Sequence, residues 1–137
     1  MGAGQEQVVR EFLDCAVGPR QDFERMVELM SEDIVWCPHV PSLGPFVGRE
    51  ACKAERQRHL GLVRLGLPGS EVRRVESGDR VVFAERIDVL EVGGVRVRLP
   101  VVGVFEVEND RIAVWHEYFD MGEMARRLGS DVERDSE

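Results

Sequence analysis

Between Arg80 and Tyr118 the chain offers three strand-length runs separated by two dipeptides that reverse its direction. Arg80 to Val92 is followed by Gly93-Gly94, and Val95 to Glu108 by Asn109-Asp110, ahead of Arg111 to Tyr118. A glycine pair between such runs is a strong hairpin signal, because the favoured two-residue turns need positive φ. An antiparallel meander is therefore the scaffold to which everything else must be fitted. The first long run is apolar on both parities: Val81, Phe83, Ile87 and Val89 oppose Val82, Ala84 and Leu90. A sheet with one wet face alternates more cleanly. Both faces are thus expected to be covered, one by helices and the other by a second subunit, which favours a homodimer. Pro100 and Gly103 inside the second run predict a bulge or sharp bend.

The front half supplies the helices. Val8, Val9, Phe12, Leu13 and Ala16 mark one face of a helix from Gln5 to Val17, stopped by Gly18-Pro19. Asp22 is placed to cap a second helix reaching Met30, with Phe23, Met26, Val27 and Met30 inward. Ser31-Glu32-Asp33 predicts a turn, Ile34-Val35-Trp36 a short strand, and the Pro- and Gly-rich segment Cys37 to Val47 a loop. A third helix opens at Gly48-Arg49-Glu50-Ala51 and reaches about Leu62. Glu71 to Glu76 then forms the first strand of the back half, turning at Gly78-Asp79. At the far end, Asp120 is read as the cap of a helix from Met121 to Leu128 that stops at Gly129. Helices followed by a meander make an α+β fold, with one domain over 1–129 and an acidic tail, 130–137, expected to be disordered.

A chain of 137 residues is long enough for one domain with a sizeable core. Its net charge of −8 leaves no basic excess to neutralise phosphates, so nucleic acid and anionic membranes are not expected partners. No apolar run approaches membrane-span length, and MGAGQEQVV has no signal-peptide core, so a cytoplasmic location is expected. Cys15, Cys37 and Cys52 follow no metal or redox spacing, and His39, His59 and His116 are scattered, so no metal is expected.

One strand face raises a chemical question. Val82, Ala84, Arg86, Asp88 and Leu90 project together, with Arg86 and Asp88 about 6–7 Å apart along the strand. Charges in an apolar row are costly unless they are paired or functional. They are either a structural ion pair or the polar end of a pocket. Trp115, Glu117 and Phe119 share a face of the last run, so Glu117 can enter the same cavity, whereas Tyr118 points to the outer side. Two carboxylates bridged by a guanidinium can hold one proton between them, one acting as acid and the other as base.

The runs Glu85-Arg86-Ile87-Asp88-Val89-Leu90, Pro100 to Val107 and Ile112 to Asp120 together resemble the limonene-1,2-epoxide hydrolase family. The resemblance extends over nearly the whole chain, and its specific part is the Arg-x-Asp strand combined with Trp-x-x-Tyr-Phe-Asp. It implies the curved-sheet cone fold shared with nuclear transport factor 2, ketosteroid isomerase and SnoaL-like cyclases. It also implies a concerted, noncovalent opening of an epoxide by an Asp-Arg-Asp triad, without metal or cofactor. On that pattern Arg86 is the triad arginine and Asp88 the acid that protonates the epoxide oxygen. Glu117 is the base that activates water, where the family usually has Asp. The family positions its water with a tyrosine and an asparagine, and the matching residues here are Trp36 and Pro38. An indole N–H can only donate and proline offers neither side-chain donor nor acceptor, and Cys37 or His39 could take part of that role.

The expected substrate is a small or medium hydrophobic epoxide, held by Trp36, His39, His59, Leu99, Val101, Phe105, Trp115 and Phe119. The third helix departs from an oily wall with Lys53, Glu55, Arg56, Arg58 and His59, part of which must be its solvated face. Two other readings stay open. A SnoaL-like polyketide or terpenoid cyclase or isomerase would use the same acid–base pair with an intramolecular nucleophile. A non-catalytic ligand-binding module could use the same cone, since a fold alone does not imply chemistry.

Overall fold

The computed structural model describes residues 2–18, 21–62 and 64–127. The predicted tail, 130–137, and the predicted helix end at Gly129 lie outside them. The elements in order are α1 (Gly2–Ala16), α2 (Phe23–Glu28), β1 (Met30–Cys37), β2 (Phe46–Val47), α3 (Arg49–Leu62), β3 (Arg64–Ser77), β4 (Val81–Val92), β5 (Val95–Glu108) and β6 (Arg111–Tyr118). Residues 121–127 are again helical. The strands form one sheet in the order β2-β1-β6-β5-β4-β3. The fold is α+β: a curved, mixed sheet with helices on its inner side.

The meander from β3 to β6 is antiparallel throughout. Its turns adopt the left-handed geometry the sequence calls for, with φ of 57° and 82° at Gly93 and Gly94 and of 51° and 60° at Asn109 and Asp110. The bulge expected at Pro100 and Gly103 is not there. Pairing between β4 and β5 runs without interruption from Val81↔Glu106 to Val92↔Val95. The register shift falls instead between Glu106 and Val107, against β6. Proline needs only a position whose N–H has no ladder partner, so its presence alone does not force a bulge.

Two boundaries in the front half also differ from expectation. Met30 ends no helix: α2 stops at Glu28, and β1 already begins at Met30, taking in the predicted turn. The reason is tertiary pairing. The Ile112 N–H donates to the Leu29 carbonyl at 2.7 Å, and Met30 pairs with Ile112, so β6 draws this segment into the sheet. The pairing is parallel, and Ser31 to Ile34 absorb a register shift before Val35↔Val114 resumes it. Phe46 and Val47, predicted as loop, form the short antiparallel edge strand β2 on β1. The caps behave as expected: Asp22 accepts from the Arg25 N–H at 3.1 Å, and Asp120 from the Glu123 N–H at 2.9 Å.

Among the described residues the buried apolar side chains fall into two clusters. The larger joins Val9, Phe12 and Leu13 of α1 to Met26, Ile34, Trp36, Val82, Ala84, Phe105 and Trp115. The smaller comprises Leu90, Val97, Leu99 and Val101, with Phe119 and Met124 against it. Along the inner face of β4 the sequence therefore passes from one cluster (Val82, Ala84) to the other (Leu90), and Arg86 and Asp88 occupy the gap. On the outer face Phe83, Val102 and Tyr118 are exposed in the single chain, with Val102 opposite Tyr118 on β5 and β6. Among the described residues no helix is long and apolar enough to cross a membrane.

Candidate active site

Arg86, Asp88 and Glu117 converge between the two clusters. All three are buried, at 1 %, 7 % and 5 % exposure. Arg86 makes four hydrogen bonds to the two carboxylates. Its Nε donates to Asp88 Oδ1 at 2.8 Å and its Nη2 to Asp88 Oδ2 at 3.2 Å. Nη1 donates to Glu117 Oε2 at 2.9 Å, and Nη2 also reaches Glu117 Oε1. One planar guanidinium thus grips Glu117 with two bonds along one side and Asp88 with two along the other, a geometry a lysine could not supply.

The electrostatics follow from this arrangement. Burial opposes the Arg86 charge, but Glu117 and Asp88 more than offset it, and its pKa rises above the ordinary arginine value. For Glu117 the balance tips the other way. Burial pushes its carboxyl above the usual carboxylate range, and the attraction of Arg86 only partly opposes it. A buried carboxylate with raised basicity is better suited to take a proton than an exposed one.

Glu117 owes its fit to Gly103. The two residues are directly opposite in the β5–β6 ladder, and a Cβ on Gly103 would meet Glu117 Oε2 at 2.9 Å and the Phe105 ring at 2.7 Å. Glycine is needed here for close approach, since the Glu117 carboxylate and the Phe105 ring both lie over its backbone.

The cavity beside the triad measures about 170 Å³, comparable to a void of ~150 Å³ that admits benzene. Trp36, His39, His59, Leu99, Val101, Trp115 and Phe119 line it as expected, together with Val17, Pro38, Leu43, Arg56, Leu90, Met121 and Met124. Phe105 is the exception. It is fully buried in the larger cluster, 6.2 Å from Phe12 and 6.3 Å from Trp115 between ring centroids, and does not reach the cavity. It has the inward parity of a wall residue, but the missing Cβ of Gly103 lets its ring lie beneath Glu117.

The Trp36 and Trp115 rings stack at 4.5 Å and 9° as register neighbours on β1 and β6. Among the described residues the indole nitrogen of Trp36 and Nδ1 of His39 are buried without a hydrogen-bond partner, while the Trp115 indole lies by Glu117 and helps Arg86 oppose the rise in the Glu117 pKa. His39 Nε2 lies 3.2 Å from the Phe119 carbonyl oxygen. A carbonyl only accepts, so Nε2 carries the proton and Nδ1 of a neutral ring is left as an acceptor.

Two residues that the sequence reading did not assign complete the site. Ser70 Oγ lies within hydrogen-bond distance of both Asp88 Oδ1 and the Val17 carbonyl oxygen, 3.0 Å from the latter. Extending β3 back from Val72, which pairs with Arg86, by one period of two would have found it, since Ser70 pairs with Asp88. Arg56 is the second, 7 % exposed at the cavity wall. Helical spacing from the fully buried Cys52 would have pointed to it, because positions i, i+4 and i+7 place Cys52, Arg56 and His59 on one face. Glu55 is buried too but turns to Arg58, which donates to it from Nε at 2.8 Å and from Nη2 at 2.6 Å, and it does not line the cavity.

A curved sheet wrapped over helices, with a cavity at its inner face, defines the class that includes nuclear transport factor 2-like and ketosteroid isomerase-like proteins. A ketosteroid isomerase-like protein of Catenulispora acidiphila superposes with a TM-score of 0.77 at 12 % identity, over 90 % of this chain and 92 % of that one. A putative polyketide cyclase of Xanthomonas campestris gives 0.75 at 18 %, over 92 % and 97 %. These two establish the fold alone. A limonene-1,2-epoxide hydrolase catalytic-domain profile matches residues 4–129, and the chain belongs to that family. The epoxide hydrolase EphG of Mycobacterium tuberculosis is 32 % identical over 111 residues, 79 % of this chain and 69 % of EphG. A solved LEH-like epoxide hydrolase of M. tuberculosis superposes with a TM-score of 0.78 at 28 % identity, covering 93 % and 90 % of the two chains.

Proposed function

We propose that the protein hydrolyses a small epoxide to a vicinal diol by concerted acid–base catalysis, with Arg86, Asp88 and Glu117 as the reacting machinery. The carrying observation is the bridging of two buried carboxylates by one guanidinium at the end of a largely apolar cavity. Glu117 accepts a proton from a water as that water's oxygen attacks a ring carbon. The C–O bond of the epoxide breaks, and Asp88 gives its proton to the departing oxygen. Water and epoxide become a diol, Glu117 is left protonated and Asp88 ionised, and transfer of that proton back to Asp88 resets the pair. Asp88 Oδ1 already accepts from Arg86 Nε and lies against Ser70, whereas Oδ2 has only the longer 3.2 Å contact. Oδ2 is therefore the oxygen we assign to carry the proton.

The cyclase or isomerase reading keeps one specific support. Trp36 and Pro38 both line the cavity, and neither side chain can accept a hydrogen bond from a water. A nucleophile on the substrate itself would not need that help. The two readings separate by product: a panel of epoxides in oxygen-18 water should give labelled diol, abolished by Asp88→Asn. Absence of diol, with a hydroxy-epoxide converted to a ring, would establish the cyclase instead. The ligand-binding reading is disfavoured by the convergence of the triad, because three buried ionisable groups are an expensive way to build a passive pocket.

We also propose that two copies pair through the outer sheet face. Phe83, Val102 and Tyr118 are exposed there at 49 %, 37 % and 43 %, and large side chains of this kind are buried when a second sheet covers them.

A further inference from the structure

Arg56 is a buried cation that the proposed reaction does not use. Its Nε and Nη2 both donate to one acceptor, the Ala16 carbonyl oxygen at the end of α1, with the Nε bond at 3.0 Å. A guanidinium has five N–H donors, so most of its capacity is left over. Among the described residues no carboxylate forms an ion pair with it, although the side chain lines the cavity. The carboxylates whose charge it feels are Asp88 and Glu117, and Arg86 already holds both.

The charge count of the site is then unbalanced during catalysis. Arg56 and Arg86 contribute two positive charges, and an acid–base pair working on water or substrate must keep one of its carboxyls protonated. A single carboxylate remains against two guanidinium groups. A net charge on buried side chains is costly, and the partial negative end of α1 offsets it only in part. His59, one turn further along α3, lines the same wall. Burial and the neighbouring Arg56 both push its pKa down, so the ring is neutral and can donate one hydrogen bond. The apolar part of the lining includes Leu90, Leu99, Val101 and Phe119.

We propose that Arg56 and His59 form a carboxylate-binding subsite, so that the substrate is a short epoxy acid with its carboxylate on Arg56 and its ring at Asp88 and Glu117. This rests on the hydrolase reading for the fate of the epoxide, but not for the binding of the carboxylate. The bound anion restores neutrality when one member of the acid–base pair is protonated, and it fixes which end of the substrate meets the triad. A cavity of about 170 Å³ limits the spacer to a few carbons or one small ring.

The test separates binding from turnover. Fluorescence of Trp36 and Trp115 would report the affinity of saturated carboxylic acids of five to eight carbons, roughly the cavity size, against their primary amides. Wild-type protein should bind the acids about ten-fold or more tighter, in keeping with a charge-assisted bond. Arg56→Gln should erase that preference, Arg56→Lys should keep part of it, and His59→Phe should weaken the acids several-fold while leaving the amides alone. Equal affinity of acid and amide in the wild-type protein would overturn the subsite even if Arg56→Gln failed to fold. Diol from neutral epoxides without any acid preference leaves the hydrolase standing and removes the subsite. An Arg56-dependent acid preference in a protein that opens no epoxide does the reverse.

Discussion

Gly103 and Glu117 face each other across β5 and β6, and the absent side chain of the glycine is the space into which the glutamate carboxylate folds. The extra methylene of Glu117 relative to aspartate is accommodated by this pairing, and the carboxylate still meets Arg86 with two hydrogen bonds.

Gly103→Ala should therefore affect catalysis more than folding. The new Cβ would lie 2.9 Å from Glu117 Oε2 and 2.7 Å from the Phe105 ring, so both must move. Overpacking of this kind costs about 1–3 kcal/mol. An ångström of displacement at a reacting carboxylate costs up to ~10²-fold in rate. Thermal melting and kcat measured on the same preparation check the two effects, and unchanged kcat would show that Glu117 is not the base.

The pH profile should carry the signature of Glu117. As a base it must be ionised, and burial raises its pKa despite Arg86. The rate should consequently fall on acidification at a pH above the ordinary glutamate value of about 4.3, as the carboxylate takes up a proton. Glu117→Gln should remove that limb together with activity. A profile flat down to the ordinary value would contradict the assignment.

Arg86→Met should be the most damaging substitution to the fold, because it strands two buried carboxylates. Loss of one partner of a buried ion pair costs about 3–5 kcal/mol. In the variant the Glu117 carboxyl, already raised by burial, loses the guanidinium that opposed the rise, so its folded pKa lies further above the unfolded one. Part of the lost stability should accordingly return as pH is lowered below neutrality, the opposite of ordinary acid destabilisation. Chemical denaturation at pH 7 and pH 5 measures it.

Ser70→Ala should lower kcat by about ten-fold and leave KM close to its original value, since the hydroxyl contacts Asp88 rather than the apolar wall. The loss of stability should be no more than about 1 kcal/mol, typical of one neutral hydrogen bond. Ser70→Thr, which keeps the hydroxyl, should restore part of the rate. Equal effects of both substitutions would reduce Ser70 to a packing residue.

Phe83→Glu should yield monomers if the outer face joins two copies, because a carboxylate cannot be buried there without a partner. Light scattering after gel filtration reads the outcome directly, and a wild-type chain that is itself monomeric removes the proposal.

Much of the site follows from strand parity. The period of two places Arg86 with Asp88, and Glu117 with Trp115, once the strands are recognised, and the turns at Gly93-Gly94 and Asn109-Asp110 make β4, β5 and β6 neighbours. Local chemistry likewise fixes the caps at Asp22 and Asp120. Parity carries no information about which distant strands meet, nor about depth along a face. The parallel pairing of β1 with β6, which stacks Trp36 on Trp115, joins segments far apart in the chain. Phe105 has a wall residue's parity but lies in the core, because only the packed sheet reveals that its ring can lie over Gly103. Arg56 reads as one more charge on a polar helix until α1 places the Ala16 carbonyl against it and closes water out. The sequence by itself determined which side chains share a face. The tertiary structure decided which of them are buried together, since desolvation depends on what the rest of the chain lays over them.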